Sequence, residues 1–150
     1  MGHTFARVLL HVVFSTKGRV NSLYRNMREK LLAYFQGIAR NEGVIILKAN
    51  AVDDHVHMLI EIKPGQSPSE VVRKLKANSS KWIHETYPNL KGFAWQSGYS
   101  VFSVSLSAVP GVVKYIENQE EHHRRLPFAE ELKRFIERHQ IRFNPDHYLD

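Results

Sequence analysis

Apolar and polar positions along the chain fall into alternating runs of two different periods. Arg7 to Ser15 (RVLLHVVFS) is dominated by apolar and β-branched side chains and predicts a strand. The polar stretch Thr16 to Ser22, with Lys17, Gly18 and Arg19, predicts a loop. From Leu23 to Asn41 the period lengthens. Leu31, Leu32, Phe35 and Ile38 recur at helical spacing, and Gly43 stands just past the end. Val44 to Val52 predicts a second strand, Asp53-Asp54 a turn, and His55 to Ile62 a third strand closed by Pro64-Gly65. Ser67 or Ser69 can cap a helix running to about Tyr87. Its apolar stripe is Val71, Val72, Leu75, Trp82 and Ile83, and Pro88 marks its end. Phe93 to Ser105 alternates aromatic and small residues around Gly98, which predicts an interrupted or bulged fourth strand. Two helices follow, over Ala108 to Arg125 and Phe128 to His139, and the tail from Ile141 to Asp150 predicts an extended segment that docks back.

The order β-α-β-β-α-β followed by helices is the split-βαβ pattern. The expected class is α+β, a ferredoxin-like antiparallel sheet with two helices on one face and C-terminal helices added. A length of 150 residues with no linker and no fixed-period repeat predicts one domain spanning 1–150.

Composition narrows the class. A hydrophobic share of 43% and a charged share of 24% are those of a globular protein. The absence of cysteine excludes disulfides and thiolate metal sites, and it fits a cytoplasmic setting. No apolar run approaches the roughly 20 residues of a membrane span, and the first residues carry no secretory pattern. Lys plus Arg total 21 against 15 Asp plus Glu, giving a net charge of +6 and a pI near 9.7. Such a surface attracts polyanions, because neutralised phosphates release counterions.

Two segments carry chemistry. In Asp54-His55-Val56-His57-Met58-Leu59-Ile60, strand alternation turns His55 and His57 to one face and Val56, Met58, Ile60 and Ile62 to the other. Paired imidazoles on a rigid strand are natural ligands for a divalent cation. Without thiolates, the donor set admits Mg²⁺, Mn²⁺ or Zn²⁺. The same spacing also occurs as a purely structural pair. In the later helix, Val109, Val112, Val113 and Ile116 mark a buried stripe, and Tyr115, Asn118, Gln119 and His122 form a second stripe beside it. Tyr115 and Gln119 therefore stand one turn apart, where a phenol can attack a phosphodiester and a carboxamide oxygen can complete a metal site. With a reference pKa of about 10, a phenol is a poor nucleophile unless a cation polarises the phosphate. A partly solvated helix flank would show the same stripe.

Together these segments resemble a known family. The His-Val-His strand and the helix Tyr115-Ile-Glu-Asn-Gln-Glu-Glu-His-His123 are similar to those of the single-tyrosine HUH transposases of the smallest bacterial insertion sequences. The likeness extends to His11-Val-Val-Phe-Ser-Thr-Lys17, to Gly98-Tyr-Ser-Val-Phe-Ser-Val-Ser105 and to the tail Phe143-Asn-Pro-Asp-His-Tyr-Leu149. The resemblance implies Mg²⁺ or Mn²⁺ held by His55, His57 and Gln119, with Tyr115 as nucleophile. It also implies a homodimer, in which the tyrosine helix can serve the partner's histidines. The implied substrate is single-stranded DNA with hairpin ends, cut and rejoined through a 5′-phosphotyrosine. The chain departs from the family at Val109-Pro110-Gly111, where glycine in the first turn predicts a late or loose helix start.

Lys17, Arg19, Arg73, Lys74, Lys76, Lys81, Arg124 and Arg125 are candidate phosphate contacts, and Tyr99 or Trp95 candidate base-stacking rings. Other readings compete with the transposase. A non-catalytic hairpin-binding module would bind DNA without cutting it. A replication initiator or relaxase would need extensions that are not seen here. A ferredoxin-like metabolite regulator predicts neither the charge nor the histidine pair.

Overall fold

The computed structural model describes residues 2–150. Four strands, β1 (Val8–Ser15), β2 (Ile45–Ala51), β3 (His55–Ile62) and β4 (Ser100–Ser103), form one sheet in the order β2-β3-β1-β4. Every pairing is antiparallel, so the sheet is the ferredoxin-like one that the element order predicts. Helices α1 (Arg25–Glu42) and α2 (Pro68–Thr86) are the crossovers and cover one face. The main core lies there. Phe14, Val56, Met58 and Ile60 from the sheet meet Met27, Leu31 and Phe35 of α1 and Val72, Leu75 and Ile83 of α2. Each such side chain, fully buried, contributes about 1.5–3 kcal/mol.

Local signals end these helices as expected. Gly43 adopts φ 69° and donates its N–H to the carbonyls of Ala39 and Arg40. The Ser67 hydroxyl, not Ser69, accepts from the Glu70 N–H at the start of α2. Leu23 and Tyr24 precede α1 instead of opening it, because Leu23 is buried and its N–H bonds the Asp53 carbonyl.

The opposite sheet face carries the histidines, and it is roofed. Helices α3 (Val109–Glu117), α4 (Gln119–Arg125) and α5 (Phe128–Arg138) lie over it. Phe128, Leu132 and Ile136 of α5 bury a second, smaller core against Val13 and Phe102.

The structure departs from the expected elements in four places. The single helix expected over Ala108 to Arg125 is broken at Asn118 (φ −93°, ψ 17°). Asn50 of β2 explains the break. Its side-chain N–H group donates to the carbonyls of Ile116 (2.9 Å) and Glu117 (3.4 Å), which an unbroken helix would bond to residues 120 and 121. The helix start is not late: α3 begins at Val109 with Pro110 in its first turn. The fourth strand is shorter than expected. Trp95 makes one isolated bridge to Thr16, and the strand resumes only at Ser100, because the carbonyls of Gln96, Ser97 and Gly98 turn to the Lys76 ammonium instead. The tail docks back, but through turns, with the Gly98 N–H donating to the Asp150 carbonyl (3.0 Å). Among the described residues no helix is long and apolar enough to cross a membrane.

Candidate metal centre and nucleophile

Strand alternation on β3 turns His55 and His57 to the same face, and the roof leaves each only 1% exposed. Each ring is held by its outer nitrogen. His55 Nδ1 lies 2.7 Å from Asp54 Oδ1, and His57 Nδ1 lies 2.8 Å from His11 Nε2. Both Nε2 atoms therefore converge on one point, the arrangement that fixes imidazole ligands to a cation.

Four groups from the roof meet them there. Gln119, at the start of α4, places Oε1 3.4 Å from His55 Nε2 and donates its Nε2 hydrogen to the Tyr115 carbonyl (3.3 Å). Glu131, buried on α5, places Oε1 2.9 Å from His57 Nε2 and 3.3 Å from His55 Nε2. Its other oxygen accepts from the Tyr115 hydroxyl. That hydroxyl is also 3.1 Å from His122 Nε2, and the Tyr115 and His57 ring centroids are 5.7 Å apart. Tyr115, His55, His57 and Gln119 thus meet within one chain.

Electrostatics follow the burial. Burial alone would push the His55 pKa down, but the Asp54 and Glu131 carboxylates bonded to it raise it to about 9. His57 is lowered by burial, which outweighs Glu131. His11 is lowered to about 3 by burial and by His57 beside it, and it is neutral at ordinary pH. Glu131 would be raised by burial, yet its bonds to His55 and His57 hold it below the ordinary carboxylate range. Tyr115 is pushed above the usual phenol range by burial and by the Glu131 charge. The donor set of imidazole nitrogens and amide or carboxylate oxygens, without thiolate, could hold a divalent cation.

Comparison with known proteins decides the family. The sequence profile described as Transposase IS200 like matches residues 4–119. The chain belongs to the IS200-like transposase family. The ISDra2 transposase TnpA of Deinococcus radiodurans is 28% identical over 116 residues, covering 74% of this chain and 83% of the relative. The transposase for insertion sequence element IS200 of Salmonella typhimurium is 31% identical over 126 residues, covering 81% and 82%. A crystal structure assigned as a transposase in D. radiodurans R1 superposes with a TM-score of 0.66 at 26% identity, over 79% of this chain and 96% of that one. A REP-associated tyrosine transposase bound to a REP hairpin shares the fold, with a TM-score of 0.62 at 16% identity, over 82% and 73%. The profile match ends at Gln119, so the tail that resembles the family's ending lies outside the matched residues.

In this IS200-like transposase the expected phosphate contacts are scattered. Lys17, Arg19 and Lys81 are exposed and make no ion pair among the described residues. Arg73 pairs with Glu70, Lys74 with Glu42, and Arg124 and Arg125 with Glu121. Lys76 differs from the phosphate contact expected of it. Its ammonium donates to the carbonyls of Gln96 (2.6 Å), Ser97 (3.2 Å) and Gly98 (2.9 Å), which occupies all three donors. Trp95 is core and not a stacking surface: it is 7% exposed, edge-on to Phe14, with its indole N–H bonded to Ser79. Tyr99 is exposed.

Sequence reasoning missed Glu131, Asp54, His11 and two arginines. Glu131, Arg134, Phe135 and Arg138 lie at i, i+3, i+4 and i+7 on α5 and line a cleft with Tyr115 and His122. Helical spacing puts these four residues on one face of α5, but nothing in the sequence marks that face as turned inward. Asp54 reads only as a turn residue and His11 only as part of a strand segment, and the ring that His11 orients lies 46 positions away.

Proposed function

We propose that this transposase cuts and rejoins single-stranded DNA at insertion-sequence ends through a 5′-phosphotyrosine on Tyr115. His55, His57 and Gln119 would hold a Mg²⁺ or Mn²⁺ ion. The observation that carries the proposal is convergence. The phenol of Tyr115 and the free nitrogens of both histidines meet at one carboxylate, inside one chain. A bound cation supplies polarisation of the scissile phosphate and stabilises charge in the transition state.

The chain's own groups supply the rest. Tyr115 Oη forms the bond to phosphorus while the bond to the 3′ oxygen breaks. The phenolic proton leaves along the hydrogen bond to Glu131 and ends on the departing 3′ oxygen. The products are a 5′-phosphotyrosine and a free 3′-hydroxyl. Attack by a 3′-hydroxyl on that linkage reverses the step and frees Tyr115, so a strand is rejoined without another energy source. Arg134 and Arg138 line the cleft to Tyr115 and would steady the phosphate as it enters.

The hairpin in the structure of the related fold favours a hairpin-ended substrate. The proposal includes a homodimer, whose mass light scattering would read. It needs no exchange of helices, because Tyr115 meets the histidines of its own chain.

Incubation with single-stranded DNA carrying the end hairpin and Mn²⁺ should give a covalent adduct that survives denaturation. Tyr115→Phe or EDTA should abolish it. Tight DNA binding with no adduct would instead establish a non-cutting module.

A further inference from the structure

We propose that Glu131 is a fourth protein ligand of the cation, through Oε1, and that its Oε2 holds the Tyr115 hydroxyl beside the ion. The proposal rests on the reading of His55, His57 and Gln119 as a metal site and adds a residue from outside the 4–119 match.

Spacing is the first argument. A six-coordinate Mg²⁺ or Mn²⁺ with bonds of about 2.1 Å keeps neighbouring ligand atoms about 3 Å apart. Glu131 Oε1 lies 2.9 Å from His57 Nε2 and 3.3 Å from His55 Nε2, and Gln119 Oε1 lies 3.4 Å from the same His55 nitrogen. These three pairs are spaced like neighbouring ligands around one ion, and the ligand atoms of His55, His57 and Glu131 all lie within 4.8 Å of one another. A carboxylate that served only to pair with a single histidine would have no reason to sit within reach of both.

Placement is the second argument. Glu131 is 3% exposed, and a buried carboxylate is costly unless charge and hydrogen bonds compensate it. Its helix is fixed by Leu132 and Ile136 in the second core and by the Phe128 ring, whose centroid lies 4.6 Å from that of His55. A ligand carried on such a helix keeps its position as the ion arrives.

The third argument is that the two oxygens divide the work. Oε1 faces the imidazoles, while Oε2 accepts from Tyr115 and lies 3.2 Å from His122 Nε2. One carboxylate thereby ties the nucleophile to the metal centre at a set distance. Because the tie is made through α5 of the same chain, Glu131 positions Tyr115 as well as standing on the path of its proton.

Manganese titration of the DNA-free, full-length protein tests this, with free Mn²⁺ read by electron paramagnetic resonance. Glu131→Gln should weaken binding at least about tenfold, by analogy with supporting residues whose loss costs 10–100-fold. His57→Gln should weaken it further. Unchanged or tighter binding in Glu131→Gln, with His57→Gln impaired, would overturn the role of Glu131 and leave the histidine site standing. Unchanged binding in His57→Gln would overturn both. Should Glu131→Gln not fold, infrared difference spectra of wild-type protein carrying ¹³C-carboxyl glutamate report the same contact. A Mn²⁺-induced shift of a glutamate carboxylate band supports ligation, and its absence refutes it.

Discussion

Neighbouring imidazoles in one cluster titrate in opposite directions, and stability must register it. Below about pH 6.5 the unfolded chain takes up protons that buried His11, held near 3, and His57 refuse. Their contribution is complete above 6.5 and is lost as the pH falls; Glu131, held low, adds to the loss further down. His55 behaves inversely. Raised to about 9, it contributes fully below 6.5 and loses that contribution as the pH climbs through 9. Urea melts in EDTA should therefore show maximal stability near pH 6.5, falling toward both pH 5 and pH 8.5, with His55→Gln flattening the alkaline side. A monotonic rise from pH 5 to 8.5 would refute the opposed shifts. The histidine pair was legible because a period of two is local and the opposite face is unmistakably apolar. Glu131 was not, since a glutamate in an amphipathic helix looks like any solvated charge until the fold turns it inward.

Among the elements, the break between α3 and α4 has a cause on another element altogether. Asn50 draws two carbonyls out of the helical ladder, and Gln119 is the second residue after the last of them. Asn50→Ala should cost about 1 kcal/mol in urea unfolding, as for a lost hydrogen bond, and should also weaken Mn²⁺ binding, because Gln119 would rotate away from His55. A stability loss with Mn²⁺ binding intact would show that the break has no part in placing Gln119. Helical periodicity at Tyr115, Asn118, Gln119 and His122 was legible as one stripe. The interruption was not, because its partner lies on β2, 66 positions earlier. The same limit applies to Lys76: a helical lysine reads as a surface charge until the 96–98 segment closes on it.

At the scale of the whole molecule, the sheet separates a large core under α1 and α2 from a small one under α3 to α5. The first was largely legible, since the stripes of α1 and α2 and the inner face of β3 pointed to it. The second was not, because its five buried residues come from two strands and one late helix. Arg134 and Arg138 line the cleft with Tyr115 and, like Lys17, Arg19 and Lys81, make no ion pair among the described residues. Arg134→Ala and Arg138→Ala should each weaken single-stranded DNA binding and reduce the salt dependence by about 0.7 per residue in log–log slope. Lys76→Ala should leave that slope unchanged. Equal slopes for all three variants would remove the arginines from the binding face.

Both tryptophans, Trp82 and Trp95, belong to the core under α1 and α2, and the layer that carries Tyr115 and Glu131 has none. Indole emission is consequently deaf to the layer under α3 to α5. That layer could detach and take Tyr115 and Glu131 with it while the fluorescence trace still reported an intact protein. Only a probe of helical content, or a label placed on α5, would hear it leave.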